Sequence, residues 1–239
     1  MNLFFCLLLS VVQAKTVDEI VAEIERAHTW TQASIELKLH HEKARGNTKE
    51  YRLKTQLRRE TKALYSYSQF LEPKATARTA VIVIDYPDKE DIMYLFMPAL
   101  GRVNTLSSKA RRSAFMGTDL NLEDLNLYHS YQGTHRLLSQ ENGLYQIETT
   151  LKDHESYSRF ISTVQQDSMD ITAIQFFDTK GTASKNIQIQ NRKDSVFPLE
   201  ITIKDLHTKS NTTVNFLSVD TTTEIPMSRF SKDSLIQGQ

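Results

Sequence analysis

The chain has 239 residues, with 29 basic and 29 acidic side chains, 39% apolar residues, 7 Gly, 5 Pro and 1 Cys. Ordinary apolar content at zero net charge excludes intrinsic disorder, and the Gly and Cys counts exclude collagen-like and disulfide-scaffold chains. Zero net charge also lacks the electrostatic footprint of a dedicated nucleic-acid binder.

Residues 1–14 form an apolar run that ends Val12-Gln13-Ala14 and meets Lys15. The run is shorter than the roughly 20 apolar residues of a membrane-spanning helix, and its end suits signal peptidase. It reads as a signal peptide cleaved after Ala14, which makes the protein periplasmic. Cleavage removes Cys6, the only cysteine, and leaves residues 15–239 without a disulfide or a thiol nucleophile.

Thr16-Val17-Asp18-Glu19 has capping-box spacing, and Val17, Ile20, Val21 and Ile24 follow at helical intervals. This predicts an amphipathic helix over 16–27. From Gln32 the period becomes two: Ile35, Leu37 and Leu39 alternate with polar residues, as do Tyr51, Leu53, Thr55 and Leu57. Further strands are expected at 63–70, 79–85, 92–97, 143–151, 158–165, 171–177, 187–191, 199–206 and 212–219. Turn signals such as Tyr86-Pro87-Asp88 and Glu141-Asn142-Gly143 separate them, which describes an antiparallel meander with one covered face. No linker or repeat divides the chain, so 15–239 reads as one domain. The middle breaks the strand pattern, and a long insert between strands is a usual place for a lid.

The residues point to no catalytic set, metal site or cofactor. The seven histidines, His28, His40, His41, His129, His135, His154 and His207, fall in no ligand spacing and are expected on the surface. No G-x-S-x-G, P-loop or G-x-G-x-x-G occurs. Asp119, Glu123 and Asp124 form a carboxylate cluster that could act as acid/base or bind a cation, but Asp119 and Asp124 read more economically as anions at a helix start capped by Asn121. Arg102, Lys109, Arg111 and Arg112 form a basic stretch that could face an anionic headgroup, and Arg102 is expected to pair with one of the three acids.

The run Tyr94-Leu95-Phe96-Met97-Pro98-Ala99-Leu100-Gly101-Arg102, then Ser107-Ser108, then Phe115-Met116-Gly117-Thr118-Asp119-Leu120 with Glu123-Asp124-Leu125, resembles the outer-membrane lipoprotein-sorting protein family. Members of this LolA-like group read "YLPALGRVRR", "SS", "FMGSDF" and "YEDL". Here Asn104 and Thr105 stand where a second basic pair is usual, Thr118 replaces Ser and Leu120 replaces an aromatic residue. The resemblance implies a half-open antiparallel β-barrel with helices over its concave apolar face, which holds acyl chains of lipoproteins or other lipids. The implied function is a periplasmic carrier that delivers such chains across the envelope. The other reading is a non-catalytic periplasmic sensor or an accessory subunit of an envelope transporter on the same fold.

On this reading the cavity walls are Leu37, Leu39, Leu53, Leu57, Tyr65, Tyr67, Val81, Val83, Met93 and Met97. The segment 111–128 lies on the concave side as a lid that carries Phe115, Met116, Leu122 and Leu125. The motif residues Tyr94, Pro98, Gly101, Arg102, Gly117, Asp119, Glu123 and Asp124 anchor that lid. The expected protein is a monomer whose partners are lipid or lipoprotein acyl chains, an inner-membrane transporter and an outer-membrane acceptor, with no nucleic acid.

Overall fold

Thr16 opens the first helix, α1 (Val17–Ala27), through the reciprocal capping box expected from the sequence. The Thr16 hydroxyl accepts the Glu19 N–H at 3.3 Å, and the Glu19 carboxylate accepts the Thr16 N–H at 2.7 Å. Ile20 and Ile24 are its buried stripe. His28 closes the helix and is buried, contrary to the surface position expected: Nδ1 donates to the Ile24 carbonyl at 2.8 Å and Nε2 lies 3.3 Å from Asp170 Oδ1. A helix end left inside the core needs such a partner for its free carbonyls. Thr16→Ala should cost about 1 kcal/mol in urea denaturation, the usual value of a lost N-cap.

The computed structural model describes residues 15–86, 89–107, 115–121, 133–152, 156–193 and 195–237. The expected signal peptide, residues 1–14, lies outside them. After α1 come β1 (Gln32–Glu42), β2 (Thr48–Glu60), β3 (Ala63–Glu72), β4 (Ala80–Asp85), β5 (Ile92–Met97) and β6 (Arg102–Thr105). Then follow β7 (Gly133–Glu141), β8 (Leu144–Leu151), β9 (Tyr157–Gln165), β10 (Ile171–Asp178), β11 (Ala183–Gln190), β12 (Glu200–Asp205) and β13 (Asn211–Asp220). All pair antiparallel in one sheet of 13 strands, ordered β6-β5-β4-β3-β2-β1-β13-β12-β11-β10-β9-β8-β7.

The sheet is not closed: β6 and β7 are its edges, yet they are consecutive in the chain. The connection 106–132 therefore leaves one edge and returns at the other. The two edge strands are the ones that the alternation pattern missed. In β6 only Val103 is apolar, and in β7 Leu137 and Leu138 are adjacent at a register shift. Arg102 thus begins an edge strand and does not belong to a loop.

One core spans most of the sheet's inner face. Leu37, Leu39, Tyr51, Leu53 and Phe70 from one half join Ile147, Phe160, Ile174, Phe176, Ile187 and Ile203 from the other, with Ile20 and Ile24 of α1 among them. A single cluster can collect these distant strands only because the sheet curves around it. Phe176 is completely buried, with ring centroids 4.6 Å from Tyr157 and 5.5 Å from Phe160.

A second core lies on the opposite face of β3–β5. The C-terminal 3-10 turn Met227–Phe230 and the helix α2 (Lys232–Gln237) press Phe230 and Leu235, with Ile225, onto Ala63, Tyr67, Ala80, Ile82, Ile84 and Phe96. This corrects the placement of Tyr65 and Tyr67: they face the outside of the sheet, where Phe230 lies 5.5 Å from the Tyr65 ring and the Arg229 guanidinium 4.7 Å from the Tyr67 ring. Both faces of β3 carry apolar residues because both are covered, so alternation alone could not choose between them.

At the end of β13 the Asp220 carboxylate accepts from the amides and hydroxyls of Thr222 and Thr223, which hold it far below the usual carboxylate range. The folded group binds its proton more weakly than the unfolded one. Its stabilisation is therefore whole above about pH 4 and is lost as pH falls further. Asp220→Asn should flatten the acid limb of the stability–pH profile below about pH 4.

No helix among the described residues is long and apolar enough to cross a membrane.

Candidate functional site

Within the crossing between the two sheet edges, Phe115–Asn121 is described in full, and it is pinned to the inner face at both ends. Met116 (φ 53°) and Gly117 (φ 71°) are both left-handed, and the Thr118 N–H and hydroxyl donate to the Phe115 carbonyl at 3.1 and 2.7 Å. The Phe115 N–H reaches the Leu120 carbonyl at 2.7 Å and closes the loop. A side chain at position 117 would be strained by that φ and would have to push the Lys49 ammonium, 2.8 Å away, aside, so Gly is favoured there. The turn sets the Phe115 ring 5.5 Å from Phe70, packs Met116 on the core and buries Leu120 in it. The Tyr51 hydroxyl and Lys49 ammonium both donate to the Met116 carbonyl, at 3.1 and 3.4 Å.

The other anchor is polar. Asp119 is 8% exposed and His41, on the inner face of β1, is 3% exposed. Ser210 donates to Asp119 Oδ1, and Thr212 donates to Oδ2 at 2.8 Å while accepting the Asp119 N–H at 3.0 Å. His41 Nδ1 lies 3.0 Å from Thr212 Oγ1 and 3.2 Å from Asp119 Oδ2. The Thr212 hydroxyl has one proton and gives it to Asp119, so His41 Nδ1 must carry its own hydrogen in this network. The cluster has the residue types of a nucleophilic triad but not its wiring. Both hydroxyls give their protons to the carboxylate, whereas a nucleophile would give its proton to the imidazole. Its role in the geometry is to fasten the crossing segment.

These contacts bear on two expectations. Asp119 is held by Ser210, Thr212 and His41, not by Arg102, which is exposed opposite Met97 at the β5–β6 turn; Glu123 and Asp124, the other two acids expected for Arg102, lie outside the described residues. His41 is buried in a network with the Asp119 carboxylate and the Thr212 hydroxyl, not on the surface. No spacing motif could reveal it, because its partners lie 78 to 171 residues away; the available signal was a histidine continuing the apolar row Ile35, Leu37, Leu39.

Of the expected wall residues, Leu37, Leu39 and Leu53 belong to the main core and Leu57 packs on it. Val81 and Met93 form a small adjoining cluster with Val83, Leu95 and Phe115 packed against it. Met97, half-buried, continues that row at the end of β5. The crossing thus brings Phe115 and Met116 onto the same inner face as Leu37, Leu39, Leu53, Leu57, Val81, Val83 and Met93. Tyr94 lies with Tyr65 and Tyr67 on the outer face, beneath Lys232, whose ammonium is 4.5 Å from its ring. Pro98 starts a 3-10 turn and Gly101 ends it in the left-handed region, so this part of the motif shapes the β5–β6 connection. Leu122, Glu123, Asp124 and Leu125, like Lys109, Arg111 and Arg112, lie outside the described residues. No group of three or more His, Cys, Asp or Glu side chains among the described residues could hold a metal ion.

The same architecture is found in solved structures. An outer membrane lipoprotein-sorting protein domain from Vibrio parahaemolyticus is 19% identical, with a TM-score of 0.82 over 92% of this chain and 100% of that one. A DUF1329 family protein from Desulfovibrio piger is 20% identical, with a TM-score of 0.85 over 93% and 100%. A LolA superfamily protein from Nitrosomonas europaea is 16% identical, with a TM-score of 0.74 over 92% and 100%. No curated protein matches the chain in sequence. A family model described as "-like: Uncharacterized protein" matches residues 62–237. The chain therefore belongs to that family of uncharacterized proteins, and its fold is the half-open barrel of lipoprotein-sorting and LolA superfamily domains.

Proposed function

We propose that this protein is a periplasmic carrier that takes acyl chains of lipoproteins or other lipids onto the inner face of its open sheet. The observation that carries this reading is the crossing segment, which joins the two sheet edges and lays Phe115, Met116 and Leu120 over an apolar wall. Export by the residue 1–14 leader belongs to the same proposal. So do the envelope partners, an inner-membrane donor and an outer-membrane acceptor.

A sixteen-carbon chain returned to water costs roughly 12 kcal/mol, so a carrier must enclose it. An open sheet with a strap across its mouth can do so, and the strap can also let the chain in. Cargo replaces the contacts of Phe115 and Leu120 with its own methylenes, so net affinity is a difference between two burials and release stays possible. Met93, Met97 and Met116 suit such a wall because thioethers adapt to irregular contacts. The work is binding and release without covalent chemistry.

Native mass spectrometry of protein purified from the envelope fraction tests this. The carrier reading expects adducts of lipid mass that leave on delipidation and return with added fatty acid. A protein that shows no adduct and takes up none would instead be a sensor or accessory subunit.

A further inference from the structure

The chain is neutral overall, yet its charges are sorted along the barrel. In an antiparallel sheet every second connection returns to the same end, and the pairing of β13 with β1 carries that alternation across both halves. The β1–β2, β3–β4, β5–β6, β10–β11 and β12–β13 connections therefore share one end with His41 and the fastened segment Phe115–Asn121. They contain Lys43, Arg45, Lys74, Arg78, Lys180 and Lys209, all exposed, and no Asp or Glu. The β8–β9 connection also lies at this end, mostly outside the described residues.

At the opposite end the described connections hold as many acids as cations. Glu90, Asp91, Asp167 and Asp170 stand there against Lys62, Lys89, Arg192 and Lys193. The residues that begin and end the strands widen the contrast. They add Arg102 with Glu42, Glu72, Asp178 and Asp205 to the first end, and Glu60, Asp85, Glu141, Glu200 and Asp220 to the second. Among the described residues, seven cations thus face four acids at one end, and four cations face nine acids at the other.

A charge separation along the molecule turns one end of a neutral protein toward an anionic surface. The β1–β2 and β12–β13 turns stand side by side there, since Glu42 pairs with Asn211, and the remaining cations continue along the rim on other turns. Cations spread in this way suit an extended plane of charge better than one small anion. Leu100, 50% exposed in the 3-10 turn that precedes Arg102, adds an apolar side chain of the kind a headgroup layer accepts.

We infer that the basic end of the barrel docks on the anionic phospholipid surface of a membrane. The inference goes beyond the carrier reading and does not depend on it, because it concerns the rim and not the interior. Docked this way, the protein holds Phe115–Asn121 on its membrane side. Each Lys or Arg near such a surface adds to the attraction, which fades within about 10 Å at roughly 0.1 M salt.

The test is co-sedimentation of the protein purified from the envelope fraction with two kinds of vesicle. One is phosphatidylcholine alone, and the other is phosphatidylcholine and phosphatidylglycerol in equal parts. The wild type should bind the mixed vesicles more tightly, on the order of tenfold or more, and rising salt should remove the difference. Lys43→Glu/Arg45→Glu, in the exposed β1–β2 turn, should lose most of that preference. Lys62→Glu/Lys193→Glu makes the same change of net charge on exposed residues at the opposite end and should keep it. Equal binding of the wild type to both vesicles would overturn the docking. An equal loss in the two variants would also overturn it, by making net charge responsible and not the basic end. Binding to neither vesicle would overturn it and leave this end to an acidic protein surface. None of these results alters the lipid adducts expected in mass spectrometry, so the carrier reading stands or falls separately.

Discussion

Asp119→Ala should raise amide hydrogen exchange across Phe115–Leu120 on the order of a hundredfold or more, and lower stability by about 3–5 kcal/mol if the segment unfolds with the sheet. Removing one member of a buried charged network strands the others, and that is the usual cost. Here the loss deprives Ser210, Thr212 and His41 of their shared acceptor at once. It also frees the Asp119 end of a turn whose other end rests on Tyr51 and Lys49. Arg102→Ala is the control, because Arg102 lies exposed at the β5–β6 turn, and it should leave exchange in this segment unchanged. Equal protection in Asp119→Ala and the wild type would show that something else fastens the segment.

Met116→Asp should weaken binding of a fluorescent fatty acid on the order of a hundredfold while the melting temperature stays close to that of the wild type. Asp tolerates the left-handed backbone at this position better than most residues do. In the empty protein its carboxylate would have the Lys49 ammonium beside it, since Lys49 already reaches the Met116 carbonyl. Over an acyl chain the same carboxylate has no polar place to go, and an unpaired charge buried there costs several kcal/mol. Lys62→Asp, in the exposed turn after β2, changes the net charge equally and should leave probe binding unaltered. Undiminished binding in a folded Met116→Asp variant would remove Phe115–Leu120 as the cover of the cargo.

Much of the fold was legible because its elements obey simple periods. Thr16 and Glu19 announce α1, and the alternating rows of β1 and β2 announce strands with one buried face. The period could not reveal which face was buried when both were. Tyr65 and Tyr67 look as suited to the inner wall as Leu64 and Phe70, until the C-terminal residues Ile225, Phe230 and Leu235 are seen to cover the outside. The short edge strand β6 carries too little apolar residue to register, since an edge has fewer neighbours to satisfy. The site divided in the same way. Phe115 and Met116 could be picked out by their motif, but His41, Thr212 and Ser210 join Asp119 only through the pairing of β1 with β13, the first and last strands.

Trp30, the only tryptophan in the chain, allows the most direct test. It sits between α1 and β1, packed on the main core with its ring 5.6 Å from Phe197 and the Arg59 guanidinium 4.8 Å above it. It lies at the start of β1, whereas His41 lies at that strand's far end. A fatty acid brominated along its chain should quench Trp30 emission saturably, and the unbrominated acid should compete the quenching away without quenching itself. Unchanged Trp30 emission at concentrations where probe displacement shows the brominated acid to be bound would place the chain outside the barrel and contradict the account.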